Sequence, residues 1–342
     1  MPDSVDRLPS GTQSESAHRI KMELWPLAMW GILLFTFGQV IYLVGVMLGA
    51  IHRLFGGKVL TLSQGFLWWS GLPVVVGITL AALDLIFLTP KRRGGEEMFF
   101  EPVPFADLTV VLTAFNDEPS IAQSVLDFKS HPRVRRVIVV DNNSSDATSA
   151  KASSAGAIVI CERQPGYGSC VHRALTEGCS ASDTSLTLLC EGDMTFRAND
   201  IDKFLAYIPH ADIVNGTRIV EQLRARRTQL TSLMYYGNFA VGKLLEVKYS
   251  GQGTFSDVGT TYKLCRNRAL TTLLPILNPT INLEFNAHFL DRALRQKLRI
   301  VECPITFHNR VGVSKGGNTN NLRALKVGTR MIQGIVLGWG KQ

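Results

Sequence analysis

Glu191 and Asp193 stand two residues apart at the end of an apolar run, LTLLCEGDMTF over 186–196, with only Gly192 between them. Carboxylates that close repel one another unless a cation lies nearby, and the glycine lets the backbone turn both toward one point. A hard divalent ion, Mg²⁺ or Mn²⁺, is the natural third party, because it takes one or two carboxylates and fills its shell with substrate phosphates and water. Taken alone, the triplet also fits a solvated acidic turn. Its place after an unalternating apolar run argues for a strand buried on both faces of a mostly parallel sheet, presenting the acids at its carboxyl end.

Two other apolar runs end in similar clusters. Thr113-Ala114-Phe115-Asn116-Asp117-Glu118 closes one, and Asp141-Asn142-Asn143-Ser144-Ser145-Asp146 closes the next. An acid at a strand's carboxyl end can bind a base or a ribose hydroxyl, whereas Ser144, Ser145 and Asp146 suit helix caps, which leaves Asp141 unexplained. In RQPGYG, 163–168, Gly166 and Gly168 let backbone N–H groups approach a ligand at a helix start, where Arg163 can meet a phosphate; a plain glycine turn accounts for them equally well. Neither G-x-G-x-x-G nor G-K-S/T follows the first strand, so the dinucleotide fingerprint and the phosphate-binding P-loop are excluded.

The elements that must hold these residues follow from periodicity. Residues 108–113, 134–141, 157–161, 185–193 and 212–218 read as strands, and 119–129, 145–154, 168–179 and 198–208 as the helices between them. That alternation implies βαβ crossovers and an α/β, Rossmann-like, mostly parallel sheet flanked by helices over 107–320.

Ahead of it lie a polar tail, 1–22, expected to be disordered, and two apolar runs within 23–90. Trp25 to Ile51 is 27 residues without a formal charge, and Phe66 to Leu88 is 23 residues with one acid, Asp84. Each exceeds the roughly 20 residues a membrane-crossing helix needs, and the first is too long and starts too late for a cleaved signal peptide. A two-span, multi-pass anchor is expected. His18, Arg19, Lys21 and Lys91-Arg92-Arg93 on the outer flanks outnumber Arg53 and Lys58 between the runs, which places both termini and the catalytic domain in the cytoplasm. Asp84 is expected to snorkel toward Lys91 or Arg92, and Gly45 and Gly49 to pack the hairpin. Residues 91–106 read as a linker, and 321–342 as a basic amphipathic segment suited to a membrane surface, with Arg323, Lys326 and Arg330 among apolar residues.

The 342 residues carry a net charge of +8 and are 46% apolar, which excludes a disordered chain and points to an anionic partner: nucleic acid, a phosphorylated substrate or a membrane surface. Six cysteines without metal-ligand spacing read as reduced and buried, in keeping with a cytosolic active domain.

T-A-F-N-D-E, D-N-N-S-S-D, R-Q-P-G-Y-G and E-G-D, in that order and followed by Asp212 to Arg218 and by the R-x-G-x-S-K stretch Arg310 to Lys315, resemble the family 2 glycosyltransferases of GT-A fold. The likeness is to the branch of dolichyl-phosphate mannose synthase and bacterial polyprenyl-phosphate glycosyltransferases, and it covers 108 to about 335. It implies that Thr113, Phe115, Glu118 and Asp141 line a nucleotide pocket with Gly166 and Lys315, and that Glu191 and Asp193 hold the metal on the donor's diphosphate. Arg218 and Arg310 would balance phosphate charge beside the catalytic Asp193, and Arg227 with Thr231 would bind the acceptor phosphate. Glu191 departs from the more usual Asp. Glu284 stands near the catalytic base of saccharide-acceptor relatives but lacks its usual Asp neighbour, and is expected to orient substrate.

The implied partners are a nucleoside-diphosphate sugar, a polyprenyl phosphate and a lipid membrane, with no nucleic acid. No residue distinguishes one sugar, nucleotide or oligomeric state from another. A saccharide acceptor in cell-envelope polysaccharide synthesis is the alternative, weakened by the missing Q-x-x-R-W of processive synthases. A decayed, purely scaffolding domain conflicts with the retained carboxylates.

Overall fold

Leu108–Ala114, LTVVLTA, is buried at every position and forms strand β1, the centre of the sheet. The computed structural model describes residues 26–56, 59–90, 98–103, 107–226, 228–312 and 321–340. The expected tail at 1–22, most of the linker at 91–106, Arg227 and Lys315 lie outside the described residues.

Strands β2 (Val134–Asp141), β3 (Ile158–Cys161), β4 (Leu186–Glu191), β5 (Ile213–Thr217), β6 (Lys263–Arg266) and β7 (Ile300–Pro304) join β1 in the order β3-β2-β1-β4-β6-β5-β7. All pairings are parallel except those of β6, which runs antiparallel to both β4 and β5. The expected mostly parallel α/β sheet is present, with two strands that periodicity did not reveal. Lys-Leu-Cys-Arg of β6 is four residues long with a cation at each end, yet all four are buried; a pattern that reads as polar surface is core because its charges find partners inside.

Sheet growth reverses between β1 and β4, and the crevice beyond the carboxyl ends at such a switch point is where open α/β sheets bind ligands. There Thr113 pairs in register with Glu191.

Ten α-helices occur among the described residues: α1 (Leu27–Phe55), α2 (Leu60–Leu83, continued by a π-helical turn at Asp84–Leu88), α3 (Ile121–Lys129), α4 (Thr148–Ser154), α5 (Tyr167–Cys179), α6 (Ile201–Tyr207), α7 (Ser232–Lys248), α8 (Asn267–Leu273), α9 (Phe285–Arg295) and α10 (Asn321–Leu337). Val171 and Leu175 of α5 pack one face of the sheet together with Leu290 and Ile335, and Ile121, Val125 and Phe128 of α3 pack the other around Tyr262. Cys170, Cys190, Cys265 and Cys303 are buried free thiols as expected, but Cys161, on the edge strand β3, is exposed.

α1 and the α2 helix with its π turn are each 29 residues long with windows of mean hydropathy 2.1 and 2.2, long and apolar enough to cross a membrane. Both extend past the apolar runs, because a helix does not stop where its hydrophobicity does. Their seam has a seven-residue repeat of small residues, Gly31, Gly38 and Gly45 against Gly77, Ser70 and Ser63. A Cβ on Gly31 would sit 2.6 Å from the Gly77 carbonyl oxygen. Ser63 Oγ donates to the Gly45 carbonyl at 2.8 Å. Gly45 and Gly49 both face α2 as expected, a Cβ on Gly49 lying 3.0 Å from Ser63 Oγ, and the seven-residue repeat extends that contact along the hairpin.

Lys91 and Arg92, the expected partners of Asp84, lie outside the described residues, but the acid has further partners within the fold. Its side chain is buried and accepts from the Ala28 backbone N–H at 2.7 Å, supplying a partner to the first turn of α1. Thr89 Oγ1 donates to its other oxygen at 3.3 Å and lies 2.9 Å from Ser250 Oγ, so the acid ties the hairpin to itself and, through Thr89, to the loop after α7.

Candidate active site

The chain after β4 folds back on itself within four residues. Gly192 N–H donates to the Thr113 carbonyl at 3.0 Å, and a Cβ there would meet Ile121 Cδ1 at 2.5 Å, so any larger residue would require the Ile121 side chain to move. Met194 takes a left-handed φ of 66°. The resulting turn brings Asp193 Oδ1 against Thr195, which donates from its backbone N at 3.0 Å and from Oγ1 at 2.5 Å. Asp193 Oδ2 is buried and accepts no hydrogen bond. Arg310 Nη1 faces it at 2.9 Å, off hydrogen-bonding alignment, while Arg310 Nη2 donates to Asp117 Oδ1 at 2.9 Å. The 308–311 segment is docked by two backbone bonds, His308 N–H to the Thr195 carbonyl at 2.9 Å and Val311 N–H to the Asp193 carbonyl at 3.1 Å.

Glu191 Oε1 accepts from Thr261 Oγ1 at 2.6 Å. Thr261 hydroxyl in turn contacts the Tyr167 hydroxyl, which accepts from Asn286 Nδ2 at 2.9 Å. Burial, and after it the charge of Asp193, raises the Glu191 carboxyl to about 7, against the lowering effects of Thr261 and Arg310. Two carboxylates here sit in a field that favours an added cation.

Mg²⁺ or Mn²⁺ fits these residues. Asp193 Oδ2 offers a buried oxygen without a hydrogen bond, and among the described residues no group of three His, Cys, Asp or Glu gathers into a complete protein cage. A sparse set of two acids suits an ion that draws its remaining ligands from a diphosphate and water.

A cavity of about 840 Å³ opens over the crevice. Thr113, Phe115, Gly166, Glu191, Asp193, Arg218 and Arg310 all lie on its wall, as does Glu284. Glu118 and Asp141 do not. Glu118 accepts from Ala147 N–H at 3.2 Å and pairs with Lys151 at 3.0 Å. Asp141 is enclosed by Ser144 and Ser149, whose hydroxyls donate to its two oxygens. Both acids brace the loops around the crevice, a role that local hydrogen-bonding groups make cheap and that a strand-end position cannot reveal. Thr231 caps α7, its Oγ1 accepting from Met234 N–H at 3.3 Å.

Arg218 is on the wall but not an unpaired cation. Asp257 holds it from Oδ2 to Nε at 2.7 Å and from Oδ1 to Nη2 at 2.8 Å, and both side chains are nearly buried. The glycines differ from expectation too. Gly166, at φ 125°, donates its N–H to Asn142 Oδ1 at 2.9 Å, and Tyr167 N–H goes to Asn282 Oδ1 at 2.8 Å, so these donors are already engaged. A Cβ on Gly168 would overlap the Ile281 carbonyl at 1.7 Å, which makes close packing the reason for that glycine. Asp257, Thr261, Tyr167, Asn142 and Asn286 are the site residues that sequence reasoning missed. For Asn142 the D-N-N-S-S-D cluster was a signal; for the others only the fold supplies the neighbours.

Residues 109–274 match the family model described as glycosyl transferase family 2. The chain carries a family 2 glycosyltransferase domain. An uncharacterised glycosyltransferase of Mycobacterium tuberculosis is 38% identical to it over 112 residues, 32% of this chain and 48% of the relative. The chain thus spans about half the length of these mycobacterial relatives. A dolichyl-phosphate hexose transferase of Haloferax volcanii is 28% identical over 212 residues, 62% of this chain and 87% of the relative. Among solved structures, glucosyl-3-phosphoglycerate synthase from Mycobacterium tuberculosis, in complex with Mn²⁺, uridine diphosphate and phosphoglyceric acid, superposes with a TM-score of 0.50 at 16% identity, covering 67% of this chain and 78% of that one. At that identity the likeness shows the GT-A fold of the glycosyltransferase domain.

Proposed function

We propose that the chain transfers a sugar, with inversion, from a nucleoside-diphosphate sugar to a polyprenyl phosphate, dolichyl or undecaprenyl, at the cytoplasmic face of a membrane that α1 and α2 cross. One observation carries the reading: a single cavity runs from the carboxylates at the end of β4 to a wall of apolar side chains on α7 and α10, among them Leu233, Met234, Val241, Met331 and Ile332. A polar, acid-lined end and an apolar end in one space suit a phosphorylated donor and a lipid acceptor. The name of the Haloferax volcanii relative supports the same acceptor class, and α10, with Leu322, Leu325 and Leu337 exposed beside its basic residues, supports an interfacial position next to the hairpin.

In this reading Glu191 and Asp193 hold Mg²⁺ or Mn²⁺, which supplies charge stabilisation to the departing diphosphate. Arg310 adds a second positive charge beside Asp193 Oδ2, and Asp117 keeps its guanidinium aimed there. The bond from the sugar's anomeric carbon to the diphosphate oxygen breaks as the bond to an acceptor phosphate oxygen forms on the opposite face, and the nucleoside diphosphate leaves. The acceptor oxyanion is already a nucleophile, so no protein base has to remove a proton. Arg227 and Thr231 stand in the proposal as acceptor-phosphate ligands, Thr231 from the first turn of α7, and Lys315, Thr113, Phe115 and Gly166 as nucleotide ligands.

The test is transfer of radiolabelled sugar from UDP-glucose, UDP-GlcNAc or GDP-mannose to undecaprenyl phosphate by membranes containing the full chain. Label in a solvent-extractable lipid, dependent on Mg²⁺ or Mn²⁺ and lost in Asp193→Ala, is the expected result. Label confined to water-soluble oligosaccharide would point instead to the saccharide acceptor.

A further inference from the structure

Glu284 and Arg330 join the two ends of the cavity. Glu284 precedes α9, on the segment whose Asn282 holds Tyr167 N–H and whose Asn286 reaches Tyr167 Oη and Gly259 O, which is the donor side. Arg330 belongs to α10, next to the apolar Met331 and Ile332. Both side chains line the cavity, and Arg330 Nη1 lies 3.4 Å from Glu284 Oε1. The Glu284 side chain is 7% exposed and that of Arg330 56% exposed. Among the described residues no other side chain pairs with Glu284.

Such a contact is asymmetric in what it holds. A single long approach by a half-exposed guanidinium is a weak ion pair, whereas the nearly buried carboxylate cannot be left without a donor at small cost. A guanidinium also matches a phosphate better, because its fork can bind two oxygens at once. We propose that Arg330 is an acceptor-phosphate ligand that is parked on Glu284 until the acceptor arrives. Arg330 then turns to the phosphate, and Glu284 accepts hydrogen bonds from hydroxyls of the donor's sugar. Each substrate thereby supplies what the other needs: the phosphate frees the carboxylate, and the sugar compensates it. Donor and acceptor bind synergistically, and neither Glu284 nor Arg330 exchanges a proton with substrate.

The inference rests on the lipid-phosphate reading, and the experiment separates the two. With the full chain in membranes, transfer to undecaprenyl phosphate is measured over a grid of donor and acceptor concentrations for the parent, Arg330→Gln, Arg330→Lys and Glu284→Gln. In the parent, the donor KM is expected to fall at least about fivefold between low and saturating acceptor, the lower range of an ordinary coupling. Arg330→Gln is expected to raise the acceptor KM about tenfold or more and to abolish that dependence, with Arg330→Lys recovering much of both, while Glu284→Gln leaves the acceptor KM within about twofold and raises the donor KM. Because Arg330 is half exposed and glutamine keeps an amide donor for Glu284, Arg330→Gln is expected to fold, which its melting temperature checks. An acceptor KM unchanged in Arg330→Gln, or a parent donor KM indifferent to acceptor, overturns the exchange while transfer to lipid stands. A parent that labels no lipid overturns both.

Discussion

Asp193 differs from the acids around it in one atom. Asp117, Asp141 and Asp257 have their oxygens engaged by aligned hydrogen bonds from neighbouring hydroxyls, backbone N–H groups or arginines, whereas Asp193 Oδ2 is buried with only the ion-pair contact of Arg310 Nη1 at 2.9 Å and no hydrogen bond. Asp193→Ala is expected to lower transfer by about 10²–10³-fold, the scale on which loss of one electrostatic stabiliser is felt, measured as initial rate at saturating metal. Glu191→Asp pulls the carboxylate back by one methylene from Thr261 and is expected to change the ratio of Mn²⁺- to Mg²⁺-supported rates, read in the same assay. Arg218 teaches the opposite lesson. Its charge invited a phosphate, but Asp257, 39 residues on, pairs with its Nε and Nη2; the sequence shows a cation and hides its counter-ion. Asp257→Ala is therefore expected to cost about 3–5 kcal/mol through an uncompensated buried guanidinium, and the double variant Arg218→Met with Asp257→Leu less than either single change, measured by thermal melting in detergent.

At the scale of elements, α10 is fastened at one end. Trp339 packs edge-on against His288 with centroids 5.1 Å apart, its Nε1 donates to Asp291 at 3.0 Å, and Lys248 reaches the Ile335 carbonyl at 2.7 Å. A side chain on Gly334 would run into the Trp339 ring at 2.5 Å, which fixes glycine there. His288 sits at the centre of this clasp, accepting at Nε2 from Asn278 N–H at 3.0 Å, and burial with the nearby Arg292 charge pushes it down to about 3. The folded state binds its proton less readily than the unfolded chain does, so stability is complete above the ordinary histidine value of about 6.5 and falls as pH drops below it. Between pH 7 and pH 5 the loss is about 2 kcal/mol from this group, and His288→Gln, which keeps an acceptor, is expected to remove that part of the difference in melting temperature. Elements with strong periodicity were readable in advance: the buried strands β1, β2 and β4 and the two long apolar helices. β6 was not, because its core positions are filled by Lys263 and Arg266, and the clasp was not, because Trp339, His288 and Asp291 meet only across the fold.

On the scale of the whole molecule, α7 and α10 turn a nucleotide-type α/β crevice into a space with two chemically different ends. The sequence made the two ends visible separately, as strand-end acids and as basic amphipathic segments, but not their union, since residues 191 and 331 share a wall only after the sheet has closed. The apolar end can be filled without disturbing the rest. Gly237 lies on the cavity wall in the middle of α7, and a Cβ built there meets no atom within 4 Å. Replacing a mid-helix glycine also favours the helix, by up to about 1 kcal/mol for a good helix former and less for an aromatic residue, so Gly237→Trp places a large ring in open space at little cost to folding. If lipid acceptors occupy this end, Gly237→Trp should lower transfer to undecaprenyl phosphate by at least about tenfold, the loss expected when an apolar ligand of this size meets an occupied pocket. Binding of UDP at the carboxylate end, measured by titration calorimetry in the presence of Mn²⁺, should stay within about twofold of the parent, because the ring adds no charge and removes none. Loss of both together would mean that the cavity serves one substrate rather than two, and retention of both would place the lipid outside it.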